Sequence, residues 1–284
     1  MTPDGALIDA TGAKIDISRV PTRIVTLAPS LGELAAEILG PDLGVIAGVS
    51  EYTDFPPALS SKPSVGPFHR INVERVVALK PDLVLATLDG NPRDRVLQLR
   101  ELGLRVIVVD TSTLDSVARS FLWVGHALGR TREGEGLARR LTEGLTALKA
   151  RAAGRAHSGV PRPTVLLQLD RQPLVAVGGD TFLNQALEVV GARNSLEDLR
   201  TRYPRPAIEE VIRRDPDWIV VLAMAGSPDA AFAKMAEDWK ALKNLKAVSR
   251  SQVRILKADG LARPSVRLLE GLALLEKLLY GGPK

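Results

Sequence analysis

The distribution of apolar residues predicts alternating strands and helices along most of the chain. Residues 6–19 alternate apolar and polar positions around Thr11-Gly12, which predicts a short hairpin. Next, the strand run in RIVTLAPS leads into the helix LGELAAEILG, with Ser30 expected to cap this helix and Gly40 to end it. Further buried strands are predicted at LGVIAGVS, LVLAT, LRVIVVD, TVLLQL, WIVVLAM and QVRILKA. Nearly continuous apolar strands between amphipathic helices indicate parallel sheets covered on both faces.

A single long helix is predicted in the middle of the chain. From Thr131 to about Ala153, leucines keep helical spacing, and the Pro-rich segment GRAHSGVPRP follows. We therefore predict an α/β fold of two Rossmann-like lobes with central parallel sheets. The lobes would comprise residues 1–130 and 156–284, joined by one rigid helix at 131–155, with a ligand cleft between them.

Internal repeats also indicate two similar halves. The phrase ERVVALKPDLVL begins at Glu74, and EEVIRRDPDWIV begins at Glu209, an offset of 135. Two further matches keep the same order along the chain, at offsets of 151 and 149: Ala35–Gly40 with Ala186–Gly191, and Asp110 and Ser116 with Asp259 and Ser265. A period this long excludes a solenoid, whose units run roughly 20–50 residues. From the helix-ending glycine to the repeated glutamate there are 34 residues in the first half and 18 in the second, which predicts a shorter strand-and-loop segment there.

Composition narrows the classes of function. The 284 residues are 45% hydrophobic and 25% charged, and without cysteine they offer no disulfide, thiolate metal site or Cys nucleophile. The net charge of +5 is spread over helices with few aromatics, so we expect no nucleic-acid partner.

Three histidines without a paired spacing argue against a dedicated Zn or Mn site. The first twelve residues lack a basic start and a long apolar run, so we expect no signal peptide within this sequence.

The sequence lacks the common catalytic motifs that would indicate an enzyme. The sequence has neither a G-x-x-x-x-G-K-[ST] phosphate loop nor a G-x-S-x-G elbow. Two α/β lobes also occur in nucleotide-dependent transferases, so that class stays as an alternative.

Candidate ligand contacts come from the loops that follow the strands, because open α/β sheets bind ligands at the carboxyl ends of their strands. Aromatic residues would supply flat walls, and arginines would pair with anionic groups. The alternatives are packing residues for the aromatics and a solvated surface for the arginines. The predicted ligand-binding residues are Pro29, Ser30, Tyr52, Phe68, His69, Arg70, Asp89, Asn91, Leu169, Arg171, Tyr203, Gly260 and Arg263.

The phrases RIVTLAPSLGELA, GVSEYTDFPPA, NVERVVALKPDLVLA, QALEVVGARNS, AIEEVIRRDPDWIVV and RPSVR occur in one order over nearly the whole chain. Together they resemble the class III substrate-binding proteins of ABC importers, and among these the cobalamin-binding members. The resemblance implies a monomeric receptor, periplasmic or otherwise extracytoplasmic, with or without a lipid anchor. It would carry a cobalamin-like corrinoid as transport ligand, without a cofactor, to a membrane permease dimer. Haem and ferric siderophores are the alternative ligands.

The resemblance also implies roles for particular residues. Glu74 and Glu209 match the glutamates that dock onto arginines of the permease, although acids favour the first turn of any helix, and Glu210 is an adjacent alternative to Glu209. His69 is a candidate axial ligand to bound cobalt or iron, or else an exposed loop histidine. The tryptophans that relatives carry near Phe68, Tyr203 and Gly260 are absent, which implies a differently shaped pocket.

Overall fold

The computed structural model describes residues 6–224 and 228–281, which form two compact units. Unit 1 comprises the chain up to residue 142 together with 263–266, and unit 2 comprises 143–262 and the residues from 267 onward. The expectation that the first twelve residues contain no signal peptide concerns in part residues 1–5, which lie outside the described residues. The lobe boundaries at 130 and 156 stay predictions.

Unit 1 contains the predicted hairpin and a four-stranded parallel sheet. In the hairpin, β1 (Leu7–Ile8) pairs antiparallel with β2 (Lys14–Ile15). The sheet strands are β3 (Ile24–Thr26), β4 (Ile46–Val49), β5 (Leu83–Thr87) and β6 (Val106–Val109), in the order β4-β3-β5-β6. The helices are α1 (Pro29–Leu39), α2 (Val73–Ala78), α3 (Arg93–Glu101) and α4 (Leu114–Ala127). This confirms the predicted α/β pattern, because every strand of the sheet is followed by a helix.

The start of α1 differs from the sequence prediction. Pro29 is its first residue and Ala28 its N-cap, with no side-chain capping bond, so Ser30 lies inside the first turn and the predicted cap is wrong. Proline is favoured at this position because its fixed φ suits the helix and its missing N–H would have no partner there. Gly40 ends the helix as predicted, with φ at 59°.

The long central helix, α5 (Thr131–His157), is confirmed and has 27 residues. It ends two residues beyond the predicted boundary at 155, and Gly154 does not interrupt it. Its first part belongs to unit 1 and the remainder to unit 2. Among the described residues, no helix is both long and apolar enough to cross a membrane.

Unit 2 is built on a five-stranded sheet. Its strands are β7 (Thr164–Arg171), β8 (Leu174–Ala176), β9 (Arg193–Asn194), β10 (Trp218–Ala223) and β11 (Val253–Lys257). The order is β11-β10-β7-β8, with β9 also beside β7, and only β8 is antiparallel to its neighbour. The helices are α6 (Phe182–Val189), α7 (Ile208–Arg214), α8 (Asp229–Asp238), α9 (Lys246–Ser249), α10 (Asp259–Ala262) and α11 (Leu268–Tyr280). Neither β8 nor β9 was predicted.

The two units share an alternation of strands and helices, to which unit 2 adds β8 and α9, and they also differ where the repeat spacing indicates. Between α1 and α2, unit 1 has the four-residue strand β4 and a long loop. Between α6 and α7, unit 2 has only the two-residue β9, which pairs with β7 as β4 pairs with β3. The predicted shortening is thus confirmed in this strand and its loop.

The aspartate of the repeated Pro-Asp links two neighbouring strands at their starts by hydrogen bonds. The carboxylate of Asp82, just before β5, accepts hydrogen bonds from Thr22 N at 2.7 Å, Thr22 Oγ1 at 2.8 Å and Arg23 N at 3.0 Å. In unit 2, Asp217 accepts from Thr164 N and Thr164 Oγ1, both at 2.9 Å. The aspartate of the repeat is therefore structural in both units.

Replacing these aspartates by asparagine is expected to destabilise the fold. Asp82→Asn and Asp217→Asn each remove charge-assisted hydrogen bonds, so the free energy of unfolding should fall by about 1–2 kcal/mol. Urea denaturation measures this, with Glu135→Gln on the exposed face of α5 as control. Unchanged unfolding midpoints in both variants would contradict the structural role.

The contribution of Asp82 is also expected to depend on pH. Burial raises the pKa of Asp82, but hydrogen bonds from Thr22 and Arg23 outweigh burial and hold the pKa below its usual 3.8. The unfolded state then binds the proton more tightly. The stabilisation is therefore present above pH 3.8 and lost as the pH falls through the folded-state pKa, which urea denaturation across this pH range would measure.

Candidate functional site

The loops after β3, β4 and β5 bring most of the predicted ligand residues of unit 1 to one edge of its sheet. Pro29 and Ser30 follow β3, Tyr52 follows β4, and Asp89 and Asn91 follow β5. The segment that carries Phe68, His69 and Arg70 belongs to the same loop as Tyr52. Glu51 N donates to Gly66 O at 2.9 Å and so joins the two ends of this loop. The structure thus groups these residues as the parallel strands predict.

Asn91 is the hydrogen-bonding centre of this edge. It is buried, its Oδ1 accepts from Thr87 N at 2.8 Å, and its Nδ2 donates to Leu27 O at 2.9 Å and Phe68 O at 2.8 Å. Three of the four hydrogen bonds that an asparagine side chain can make are therefore used inside the protein. Asn91 positions the Phe68 loop against the ends of β3 and β5.

Phe68 and Tyr52 present aromatic surface at this edge. The ring of Phe68 is 37% exposed and lies against Gly90, where a Cβ would come within 2.8 Å of the ring. Gly90 also has φ at 114°, so glycine is required here for two reasons. Tyr52 is 48% exposed. Both rings are available to contact a ligand.

His69 and Arg70 are exposed in the same loop. The imidazole of His69 lies edge-to-face against Phe68, with 5.3 Å between ring centroids. Axial ligation by His69 stays a prediction.

Arg263 joins the buried Glu33 and the exposed Asp54 in an ionic cluster of unit 1. Its Nη1 donates to Glu33 Oε1 at 2.6 Å and Asp54 Oδ1 at 2.7 Å, and its Nη2 donates to Tyr52 O at 3.1 Å. Ser265 Oγ donates to the other oxygen of Glu33 at 2.6 Å. Glu33 was not among the predicted site residues. Its signal in the sequence was a carboxylate between Leu31 and Leu34, which are both buried in the structure.

This cluster sets the conformation of the Tyr52 loop. Tyr52 has φ at 66°, which a side chain other than glycine adopts only at a cost. The bonds from Arg263 to Tyr52 O and Asp54 Oδ1 hold the chain on both sides of Thr53. Thr53 N also donates to Ser50 O at 3.3 Å. Arg263 therefore has an internal structural role, whatever its contact with a ligand.

In unit 2, Leu169 and Arg171 are strand residues, because β7 continues through Arg171. The guanidinium of Arg171 binds both carboxylate oxygens of Asp238 at the end of α8. Its hydrogen bonds lower the pKa of Asp238. Arg171 therefore meets an internal carboxylate partner.

Tyr203 lies in the loop before α7 and is 38% exposed. Hydrogen bonds from Gly178 N to Arg202 O at 2.9 Å and from Ala176 N to Pro204 O at 3.1 Å fix the backbone on both sides of it. Each unit thus exposes a tyrosine in the segment that follows β4 or β9.

Gly260 is a packing position in α10. It is buried, and a Cβ there would come within 2.5 Å of Arg267 O. It also borders a cavity of about 400 Å³ at the carboxyl ends of β10 and β11, together with Lys257, Asp259 and Arg267. A second cavity, of about 600 Å³, lies at the other end of these strands and is lined by none of the predicted site residues.

The two glutamates of the repeat are exposed on α2 and α7. Within residues 6–224 and 228–281, the side chain of neither Glu74 nor Glu209 has a hydrogen-bond or ion-pair partner. Glu210, in contrast, accepts hydrogen bonds from Arg213 and Arg214, which lower its pKa. The structure therefore separates the two adjacent acids: Glu210 is engaged internally and Glu209 is not.

These observations define a class of protein when they are set beside known proteins. A sequence model of the family described as "Periplasmic binding protein" matches residues 24–259, and the chain belongs to that family.

Within the family, the chain is similar to proteins that are named for binding vitamin B12 or heme. It is 32% identical to the vitamin B12-binding protein of Salmonella typhi over 249 residues, which cover 87% of this chain and 86% of that protein. The solved structure of the periplasmic vitamin B12 binding protein of Vibrio cholerae has a TM-score of 0.78 and 29% identity, over 91% of this chain and 96% of that chain. A periplasmic heme binding protein from Pseudomonas aeruginosa has a TM-score of 0.81 and 26% identity, over 93% and 95% of the two chains.

Breaking the buried pair of Glu33 and Arg263 is expected to destabilise unit 1. Glu33→Gln leaves the largely buried guanidinium with fewer carboxylate partners and should lower the free energy of unfolding by about 3 kcal/mol. In urea denaturation, the double variant Glu33→Gln/Arg263→Met should lose less than the sum of the single variants, because it removes both charges. Strictly additive losses would show that the two side chains do not interact.

Proposed function

We propose that this protein is the extracytoplasmic substrate-binding protein of an ABC importer, and that it captures a cobalamin-like corrinoid and delivers it to the membrane permease. It holds its cargo as a transport ligand and makes or breaks no bond in it. We place it in the periplasm, in line with the family to which the chain belongs.

The observation that carries the corrinoid assignment is the exposed aromatic pair at the edge of unit 1. Tyr52 and Phe68 are held there by the Arg263 cluster and by Asn91, in a chain that is 32% identical to a vitamin B12-binding protein over most of its length. A corrinoid is a flat, largely apolar macrocycle with polar amide groups at its edge. Aromatic side chains suit its faces, and a few polar groups orient it.

Haem is the second candidate cargo. It is favoured by the exposed imidazole of His69 beside Phe68, since imidazole ligates iron, and by the structural similarity to the heme binding protein from Pseudomonas aeruginosa. Haem carries two carboxylates, whereas cyanocobalamin presents neutral amides to most contacts. The two cargoes therefore make different demands on Arg70 in the same loop.

Delivery would use Glu74 and Glu209. Each is an exposed carboxylate on a short helix without a partner among the described residues, and each could accept charge-assisted hydrogen bonds from an arginine. Two equivalent carboxylates suit a permease dimer, which presents two equivalent sites. Glu210 is not proposed for docking, because Arg213 and Arg214 already bind it.

Titration with cyanocobalamin tests the cargo. We expect saturable heat by calorimetry at one corrinoid per chain, and a rise in Tm of about 5–10 °C at a ligand concentration 100-fold above Kd. Phe68→Leu should weaken binding, while Leu102→Ala, at an exposed apolar residue outside these loops, should not. The corrinoid assignment is wrong if cyanocobalamin gives neither heat nor a Tm shift while haem gives both.

Charge reversal tests docking. Glu74→Lys and Glu209→Lys should abolish association with the purified importer in nanodiscs and leave cyanocobalamin affinity unchanged, since each replaces a bonding carboxylate by a repelling cation. Surface plasmon resonance measures the association, and Glu101→Lys on the exposed end of α3 is the control. Association that survives in both variants would rule out the docking role.

A further inference from the structure

The two helices that carry the proposed docking glutamates, α2 and α7, are called the docking helices below. Each also exposes an aliphatic side chain beside its glutamate. Val77 on α2 is 39% exposed, and Ile212 on α7 is 44% exposed. Both follow their glutamate by three residues, and they occupy matching positions of the repeat at the offset of 135. The repeat thus places an exposed aliphatic residue in both halves together with the glutamate.

The glutamate and the aliphatic residue share one helix face. Residues three apart are neighbours on a helix surface, so Val77 adjoins Glu74 and Ile212 adjoins Glu209. The residues just before the aliphatic pair, Val76 and Val211, are buried in the cores of their units. That register fixes which face points outward.

Neither helix propensity nor core packing explains why an aliphatic residue occupies positions 77 and 212. β-branched residues lose rotamer freedom in a helix, and an exposed position gains no core packing in return. Single exposed aliphatic residues are common on protein surfaces and mean little alone. Here the same feature recurs in both units beside a carboxylate that has no partner among the described residues, which is a more specific observation.

We infer that Val77 and Ile212 are part of the docking surface, and that each packs against apolar atoms around the arginine that binds the adjacent glutamate. This inference rests on the proposed function and adds two residues to it. The partner surface would be a cationic side chain bordered by apolar groups, present twice in the permease dimer. Apolar atoms around an ion pair exclude water, so they strengthen the pair and reduce its screening by salt.

The test uses substitutions that keep β-branching and introduce a hydroxyl. Val77→Thr and Ile212→Thr are measured against the purified importer of the source organism in nanodiscs, at low and high salt. Val20→Thr in unit 1 and Val160→Thr in unit 2 are matched controls, because both valines are exposed and distant in sequence from the docking helices. Glu74→Gln, Glu209→Gln and cyanocobalamin affinity are measured in the same series.

Each test variant is expected to weaken association by about 5- to 30-fold, since a hydroxyl buried without a partner is unfavourable. The salt dependence of association should steepen, cyanocobalamin affinity should stay unchanged, and both controls should match the wild type. If the glutamine variants weaken association while either Val77→Thr or Ile212→Thr matches the controls, this inference is wrong and docking stands. If the glutamine variants also bind as the wild type does, the docking role fails as well.

Discussion

The carboxylates of Asp82 and Asp217 are the constraint on which both units depend. Each aspartate follows a proline and binds the backbone that leads into the neighbouring strand, β3 or β7, so it fixes the register of two parallel strands at their starts. Just before that proline, Lys80 and Asp215 have φ at 47° and 43°, which ends the helix and turns the chain into the strand. This short segment thereby specifies a helix end, a turn and a strand start, which explains why its Pro-Asp recurs in the two halves.

Within this repeated segment, some residues serve the fold and another is left available for function. In each copy one valine, Val76 or Val211, lies in the core, and the aspartate links two strands by hydrogen bonds. The side chain of the glutamate has no hydrogen bond or ion pair among the described residues. Because the aspartate and the buried valine account for the fold of the segment, the glutamate is free to serve another purpose. Glu210 differs from Glu209 in this respect. An acid one position later is engaged by two arginines, one of which, Arg214, also holds the pKa of Asp198 at about 2 through its hydrogen bonds.

Periodicity predicted the parallel strands, the hairpin and α5, because each depends on the pattern within one segment. It missed β8 and β9, since strands of two or three residues are too short to show a period. It also missed the partners of Arg263 and Asn91. Glu33 and Arg263 are 230 positions apart, and Asn91 joins the ends of two strands to a third segment, so only the folded chain brings these groups together. Local pattern placed the candidate loops of unit 1 at the strand ends, but it was wrong for Leu169 and Arg171, which lie in β7, and for Gly260, which lies in α10. Long-range hydrogen bonds decide which residues of the loops face inward.

In unit 1, the loop proposed to contact cargo and the helix proposed to contact the permease are one continuous piece of structure. Phe68 precedes Glu74 by six residues, and between them Asn72 N donates to Val65 O at 2.9 Å while Asn72 Oδ1 accepts from Arg75 N at 2.8 Å. Val65 N in turn donates to Val49 O of β4, which ties this piece to the sheet. Any displacement of the Phe68 loop must therefore either move the start of α2 or break these bonds. Backbone hydrogen bonding, rather than a flexible linker, connects the two proposed contact surfaces.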